Sequence, residues 1–140
     1  MADITARPAG LTQDTGFQIG ARRTFPLPPE EAWRFLTAAE GVRLWLGEAP
    51  GFVPARGARF QLEDGTFGEV TTFVPGSHLR LTFQPPGWPR ASIVQVRIIA
   101  KDDARCVVAF HQEHLPGPAE RAQRSLHYAT VLENLAEVMA

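Results

Sequence analysis

Residues 118–140 carry an apolar stripe at helical spacing, and the run before them, from residue 60, reads as strands. Tyr128, Leu132, Leu135 and Met139 recur at intervals of four, three and four, with Val131 and Val138 beside them. That is the 3.6-residue period of a helix with one buried side. Pro118 suits its first turn, where the missing N–H would have no partner anyway. Such a stripe must bury itself against something large, and the only large partner the chain offers is a sheet. A long helix held against a curved sheet often encloses a cavity, so the stripe predicts a ligand between the two.

The sheet is read from period-two alternation. Phe17, Ile19, Ala21 and Phe25 share one face of a strand over 15–25, with Arg23 as a charge in the apolar register. Pro26, Pro28 and Pro29 end it. Glu30 and Glu31 open a helix carrying Trp33, Phe35 and Leu36, since acidic side chains suit the positive end of the helix dipole. Thr37-Ala38-Ala39-Glu40 fits a capping box for a second short helix with Val42, Leu44, Trp45 and Leu46, stopped by Gly47. Phe60 and Leu62 mark the next strand, Asp64-Gly65 a tight turn, and 67–74 the return. Leu79, Leu81 and Phe83 alternate in another strand. The proline-rich run 84–89 is a loop, and 93–100 and 105–114 complete the sheet. The expected class is α+β: an antiparallel sheet of about six strands around a long C-terminal helix, with two short helices after the first strand.

The chain's 140 residues predict one domain over 15–140, preceded by a flexible tail over 1–14. Cys106 is the single cysteine, which excludes an internal disulfide and fits a reducing, cytoplasmic compartment. No signal-peptide pattern and no membrane-spanning run is expected. Fourteen basic and fifteen acidic residues balance to −1, which gives no electrostatic footprint for nucleic acid. Thirteen of the fourteen are arginine, a bias read as compositional.

Several strings, in order, resemble the START-like (helix-grip, SRPBCC) superfamily. They are Arg23-Thr24-Phe25 with Pro28, Glu31-Ala32-Trp33, Glu40-Gly41-Val42, Leu44-Trp45-Leu46-Gly47, Gly68-Glu69-Val70, Leu81-Thr82-Phe83 and Phe110–Leu115. More narrowly, the chain is similar to the homologues of the activator of the heat-shock-chaperone ATPase. The resemblance implies a helix-grip fold, a cavity for apolar small molecules and, for some members, a chaperone-linked role. Tyr128 and Phe83 stand where such proteins often carry tryptophan.

No phosphate-binding glycine motif and no nucleophile elbow occurs, so no catalytic residue is assigned and no cofactor is called for. His111 and His114 sit at a strand end, where a spacing of three points them to opposite faces, so no metal site is expected. His111 and Glu113 share a strand face as an acid–base pair or, more simply, as a solvated pair. Trp88, among prolines, suggests an exposed lid or contact surface. Tyr128 brings a hydroxyl onto the buried stripe, either to orient a ligand or to bond a backbone carbonyl.

The leading expectation is a cavity that binds an apolar or amphipathic small molecule. Its inward groups would be Trp45, Phe60, Leu62, Phe83, Phe110, Tyr128, Leu132 and Leu135. A protein-interaction module with a chaperone or other protein partner is the second expectation, and a cyclase- or hydrolase-like enzyme using the same cavity is the third. A homodimer through an edge strand is compatible with all three.

Overall fold

Alternation along neighbouring strands puts one apolar row after another on a single face of the sheet. A computed structural model describes residues 11–12 and 16–139. The element order is β1 (Leu11–Thr12), β2 (Gly16–Phe25), α1 (Pro29–Thr37), α2 (Ala39–Trp45), β3 (Arg59–Gln61), β4 (Phe67–Val74), β5 (His78–Phe83), β6 (Ser92–Asp102), β7 (Arg105–Leu115) and α3 (Pro118–Val138). The strands form one antiparallel sheet in the order β1-β2-β7-β6-β5-β4-β3. This is the helix-grip arrangement expected from the sequence, with six main strands. A two-residue seventh, β1, pairs Leu11 with Phe17 and Thr12 with Gly16 inside the stretch read as tail. The rest of that tail lies outside the described residues.

Register explains the core. Leu79, Val96, Phe110 and Ala21 are aligned across four strands, and Leu81, Val94, Gln112 and Ile19 form the next row. All but Ala21 and Ile19 are buried, and those two are half-buried. α3 lays Tyr128, Val131, Leu132 and Leu135 on the same core, at i, i+3, i+4 and i+7. Val138 is 51% exposed and leaves the stripe, while Met139 stays buried. No helix among the described residues is long and apolar enough to cross a membrane.

Three local expectations are corrected. Thr37 is not a cap: α2 begins after Ala38 with no side-chain cap, and the Thr37 hydroxyl donates backwards to the Trp33 carbonyl at 2.8 Å. It lies in the last turn of α1, where that carbonyl is the nearer acceptor. Trp88 is not an exposed lid. Its ring is half-buried, edge-on to Phe83 at 6.2 Å, and Gln84 donates to its carbonyl at 2.9 Å. Leu62 falls just beyond β3, at the start of the turn. There its N–H donates to the Thr66 carbonyl at 2.7 Å, and Gly65 supplies the φ of +93° the turn requires.

Candidate functional site

One polar side chain interrupts the apolar face of the sheet, and it lies under the N-terminal half of α3. Gln112 occupies the row of Leu81 and Val94 and is fully buried. A buried amide with no partners would cost about 1–3 kcal/mol per group, and here each is satisfied. The Gln112 Nε2 donates to Ser92 Oγ at 2.9 Å, and Ser92 Oγ donates to the Phe83 carbonyl at 2.5 Å. Gln112 Oε1 accepts from Tyr128 Oη at 2.8 Å and from Arg124 Nε at 2.8 Å. Two donors converging on one oxygen fix which way the amide points. Burial raises the Tyr128 phenol above its usual range, against the pull of Arg124, so the hydroxyl stays protonated and donates.

Arg124 stands one helical turn before Tyr128 and extends the buried stripe with a charge. Its Nη2 donates to Tyr128 Oη at 3.3 Å. Its guanidinium lies 4.4 Å from the Phe83 ring centroid and 5.1 Å from that of Tyr128. These rings hold its plane, an attraction of about 0.5–2 kcal/mol per contact. Sequence reasoning did not find Arg124, Gln112 or Ser92. The signal for Arg124 was its place four residues before Tyr128, in phase with the stripe.

Arg124 and Phe83 line a pocket of about 350 Å³ that opens to solvent at this end of the sheet–helix space. Leu46 and Leu62 supply further apolar wall, His127 closes the α3 side, and Glu48, Glu63 and Asp64 stand on the rim. Of the eight residues named from the sequence, Leu62 and Phe83 line this pocket. Trp45, Phe110, Tyr128, Leu132 and Leu135 are packed in the core behind it. Phe110 stacks on Tyr128 at 5.2 Å and Trp45 is 6.4 Å from Phe110, with its indole N–H donating to the Leu36 carbonyl at 2.8 Å. Phe60 lies apart, against Phe52 at 5.5 Å, and borders a separate pocket of about 430 Å³.

His111 and Glu113 do not face this space. Strand alternation places them opposite the buried Phe110 and Gln112. His111 bonds Gln18 Oε1 at 2.7 Å, and the carboxylate of Glu113 is 4.0 Å from His114. Among the described residues no three His, Cys, Asp or Glu side chains cluster to hold a metal.

Burial, and then the neighbouring Arg124 charge, push the His127 imidazole down to about 4, although its bond to the Trp45 carbonyl pulls the other way. His127 is therefore neutral at pH 7 and donates from Nε2 to that carbonyl at 3.0 Å. An unfolded chain binds this proton near pH 6.5. Between about 6.5 and 4 the unfolded state holds more protons, so the contribution of His127 is fully present above 6.5 and is lost on acidification. The expected loss is on the order of 2 kcal/mol. Urea midpoints at pH 7 and pH 4.5 test this. His127→Gln, which keeps a donor for the Trp45 carbonyl, should flatten the difference; an unchanged pH dependence would assign it to other groups.

Residues 26–140 match the family described as "Activator of Hsp90 ATPase homolog 1-like protein". The activator of 90 kDa heat shock protein ATPase homolog 1 from Homo sapiens is 30% identical over 122 residues. That match covers 85% of this chain and 36% of the human protein, so the chain spans about a third of that relative's length. CalU16 from Micromonospora echinospora superposes with a TM-score of 0.76 at 19% identity, over 88% of this chain and 76% of that one. The Aha1 dimer from Colwellia psychrerythraea gives 0.72 at 16% identity, over 87% and 95%. These two likenesses show the fold. With the family match running from the end of β2 through α3, the chain belongs to the Activator of Hsp90 ATPase homolog 1-like family.

Proposed function

We propose that this protein binds an apolar or amphipathic small molecule in the pocket between the start of α3 and the sheet. The observation that carries the reading is the pocket's construction: an apolar wall of Leu46, Leu62 and Phe83 meets a polar group, Arg124, that is braced from behind by Gln112 and Tyr128. Its volume of about 350 Å³ is at the lower end of the range for small-molecule sites, roughly 300–1,000 Å³. Deeper in, Trp45, Phe110, Tyr128, Leu132 and Leu135 fill the sheet–helix space with side chains, so this reading puts the ligand at the mouth. Tyr128 then acts behind Arg124, holding it, while Leu62 and Phe83 touch the ligand.

Calorimetric titration with 1-octanol tests the reading. The wild type should show saturable binding of one molecule per chain. Leu62→Trp, which adds bulk at the half-buried rim, should weaken it by about tenfold or more. Equal binding to both proteins would place the ligand elsewhere.

A protein partner is the second reading, supported by the names of the relatives and by two exposed apolar side chains. Val53 is 73% exposed and Phe67 52%, on a surface connected through Pro50 and Gly51. On this reading the chain acts on an Hsp90-type chaperone, as the human relative's name says of that protein. Val53→Ser with Phe67→Ser should then abolish any stimulation of the chaperone's ATPase, whereas unchanged stimulation would remove this surface from the account. A homodimer, as named for the Colwellia protein, is the third possible association. Light scattering would report twice the chain mass for it and a single chain mass against it.

A further inference from the structure

The pocket's permanent cation is only partly used. A guanidinium has five N–H donors. Arg124 spends one on Gln112 and one on Tyr128. The other three have no hydrogen-bond partner among the described residues, and no carboxylate lies within 4 Å of the group. They are not sealed in the core either, because the side chain lines the open pocket and is only half-buried. The Phe83 and Tyr128 rings lie against the guanidinium, and Gln112 fixes its Nε edge. The remaining edge is thereby preorganised before any ligand arrives.

We propose that the pocket selects amphipaths ending in a single carboxylate, which the three unpaired N–H donors of Arg124 receive while the tail lies along Leu62 and Phe83. This rests on the small-molecule reading above and names the class of molecule. A carboxylate matches a guanidinium edge with two parallel N–H···O bonds, and charge-assisted bonds of this kind are about twice as strong as neutral ones. Leu46, Leu62 and Phe83 supply apolar wall beside it for the tail.

The rim argues for one negative charge and against two. Glu48 is paired with Arg43 at 3.0 Å, but Glu63 and Asp64 have no basic partner within 4 Å among the described residues. The Thr66 backbone N–H first, and more weakly the Arg124 charge across the pocket, hold the Asp64 carboxyl below its usual range, so it is ionised at neutral pH. His127, neutral at that pH, adds no compensating charge. A phosphate monoester would bring a second charge to this rim and be repelled more than a carboxylate, and an amine, although attracted by Glu63 and Asp64, would set its charge against Arg124.

Four ligands with one tail test the assignment: octanoate, 1-octanol, octylamine and octyl phosphate, titrated calorimetrically at pH 7 into the intact chain. Octanoate should bind about ten- to hundredfold more tightly than 1-octanol, with the other two weaker than octanoate. Arg124→Gln should bring the octanoate-to-octanol ratio close to one, and Arg124→Lys should restore part of it, since the charge returns without the fork. Circular dichroism melts confirm that each variant is folded. Equal binding of octanoate and octanol to the wild type would overturn the carboxylate assignment and leave the small-molecule reading standing. So would an amine or phosphate that binds best, or a ratio that survives Arg124→Gln. If none of the four ligands binds, both fall.

Discussion

Tyr128→Ala should lower the free energy of unfolding by about 4 kcal/mol, because it removes a fully buried aromatic and leaves a cavity against Phe110. Part of the loss is polar. Without the Tyr128 hydroxyl, Gln112 Oε1 keeps only Arg124, and the Arg124 Nη2 loses its acceptor. Tyr128→Phe isolates that part and should cost about 1–2 kcal/mol. The two variants therefore separate packing from hydrogen bonding at one position. Urea denaturation followed by circular dichroism reads both, and a loss below about 1 kcal/mol for Tyr128→Ala would mean the α3–sheet core is far looser than its packing indicates. Because Tyr128 braces Arg124, Tyr128→Phe should also weaken octanoate more than 1-octanol.

Gly41→Ala should be about as damaging, at roughly 3 kcal/mol, for a backbone reason. α2 crosses the end of α1 so closely that a Cβ at Gly41 would overlap the Phe35 carbonyl oxygen and carbon. A carbonyl inside a helix cannot swing aside as a long side chain does, so α2 must move away from α1. The Trp45 indole would then be drawn from the Leu36 carbonyl, and the Trp45 carbonyl from His127. Leu46 and Gly47 follow Trp45 and form part of the pocket wall, so ligand affinity should fall together with stability. A thermal melt and an octanoate titration on the same sample check both halves. A fully stable Gly41→Ala would show that the two helices can separate without cost.

What the chain reveals by periodicity alone is its framework. The α3 stripe, the 67–74 strand and the Leu79–Leu81–Phe83 row follow from spacing, since burial on one face needs no knowledge of the partner. The polar site was hidden because it is assembled from three distant places. Gln112 and Arg23 look alike in sequence, each a polar residue in an apolar register. Arg23 ends up exposed near the end of β2, and Gln112 ends up at the centre of the core. Only Ser92, twenty residues earlier, and Arg124 and Tyr128 on α3 make burial of that amide tolerable, and none is adjacent in the chain. Thr37 and Trp88 were misread for a related reason. A hydroxyl at the end of α1 had two directions in which to bond, and a tryptophan among prolines had the Phe83 ring to fold onto. The family resemblance supplied the fold, whereas Arg124 emerged only from the geometry.

The most direct test of the account is to locate a bound ligand by intermolecular nuclear Overhauser effects, with octanoate added to isotopically labelled protein. Contacts from the octanoate methylenes to the Leu62 methyls and the Phe83 ring are expected, with the carboxylate end nearest the Arg124 side chain. Contacts instead to Leu27, Phe35 and Met139, which border the groove between α1 and the end of α3, would contradict it, as would no contacts at saturating octanoate.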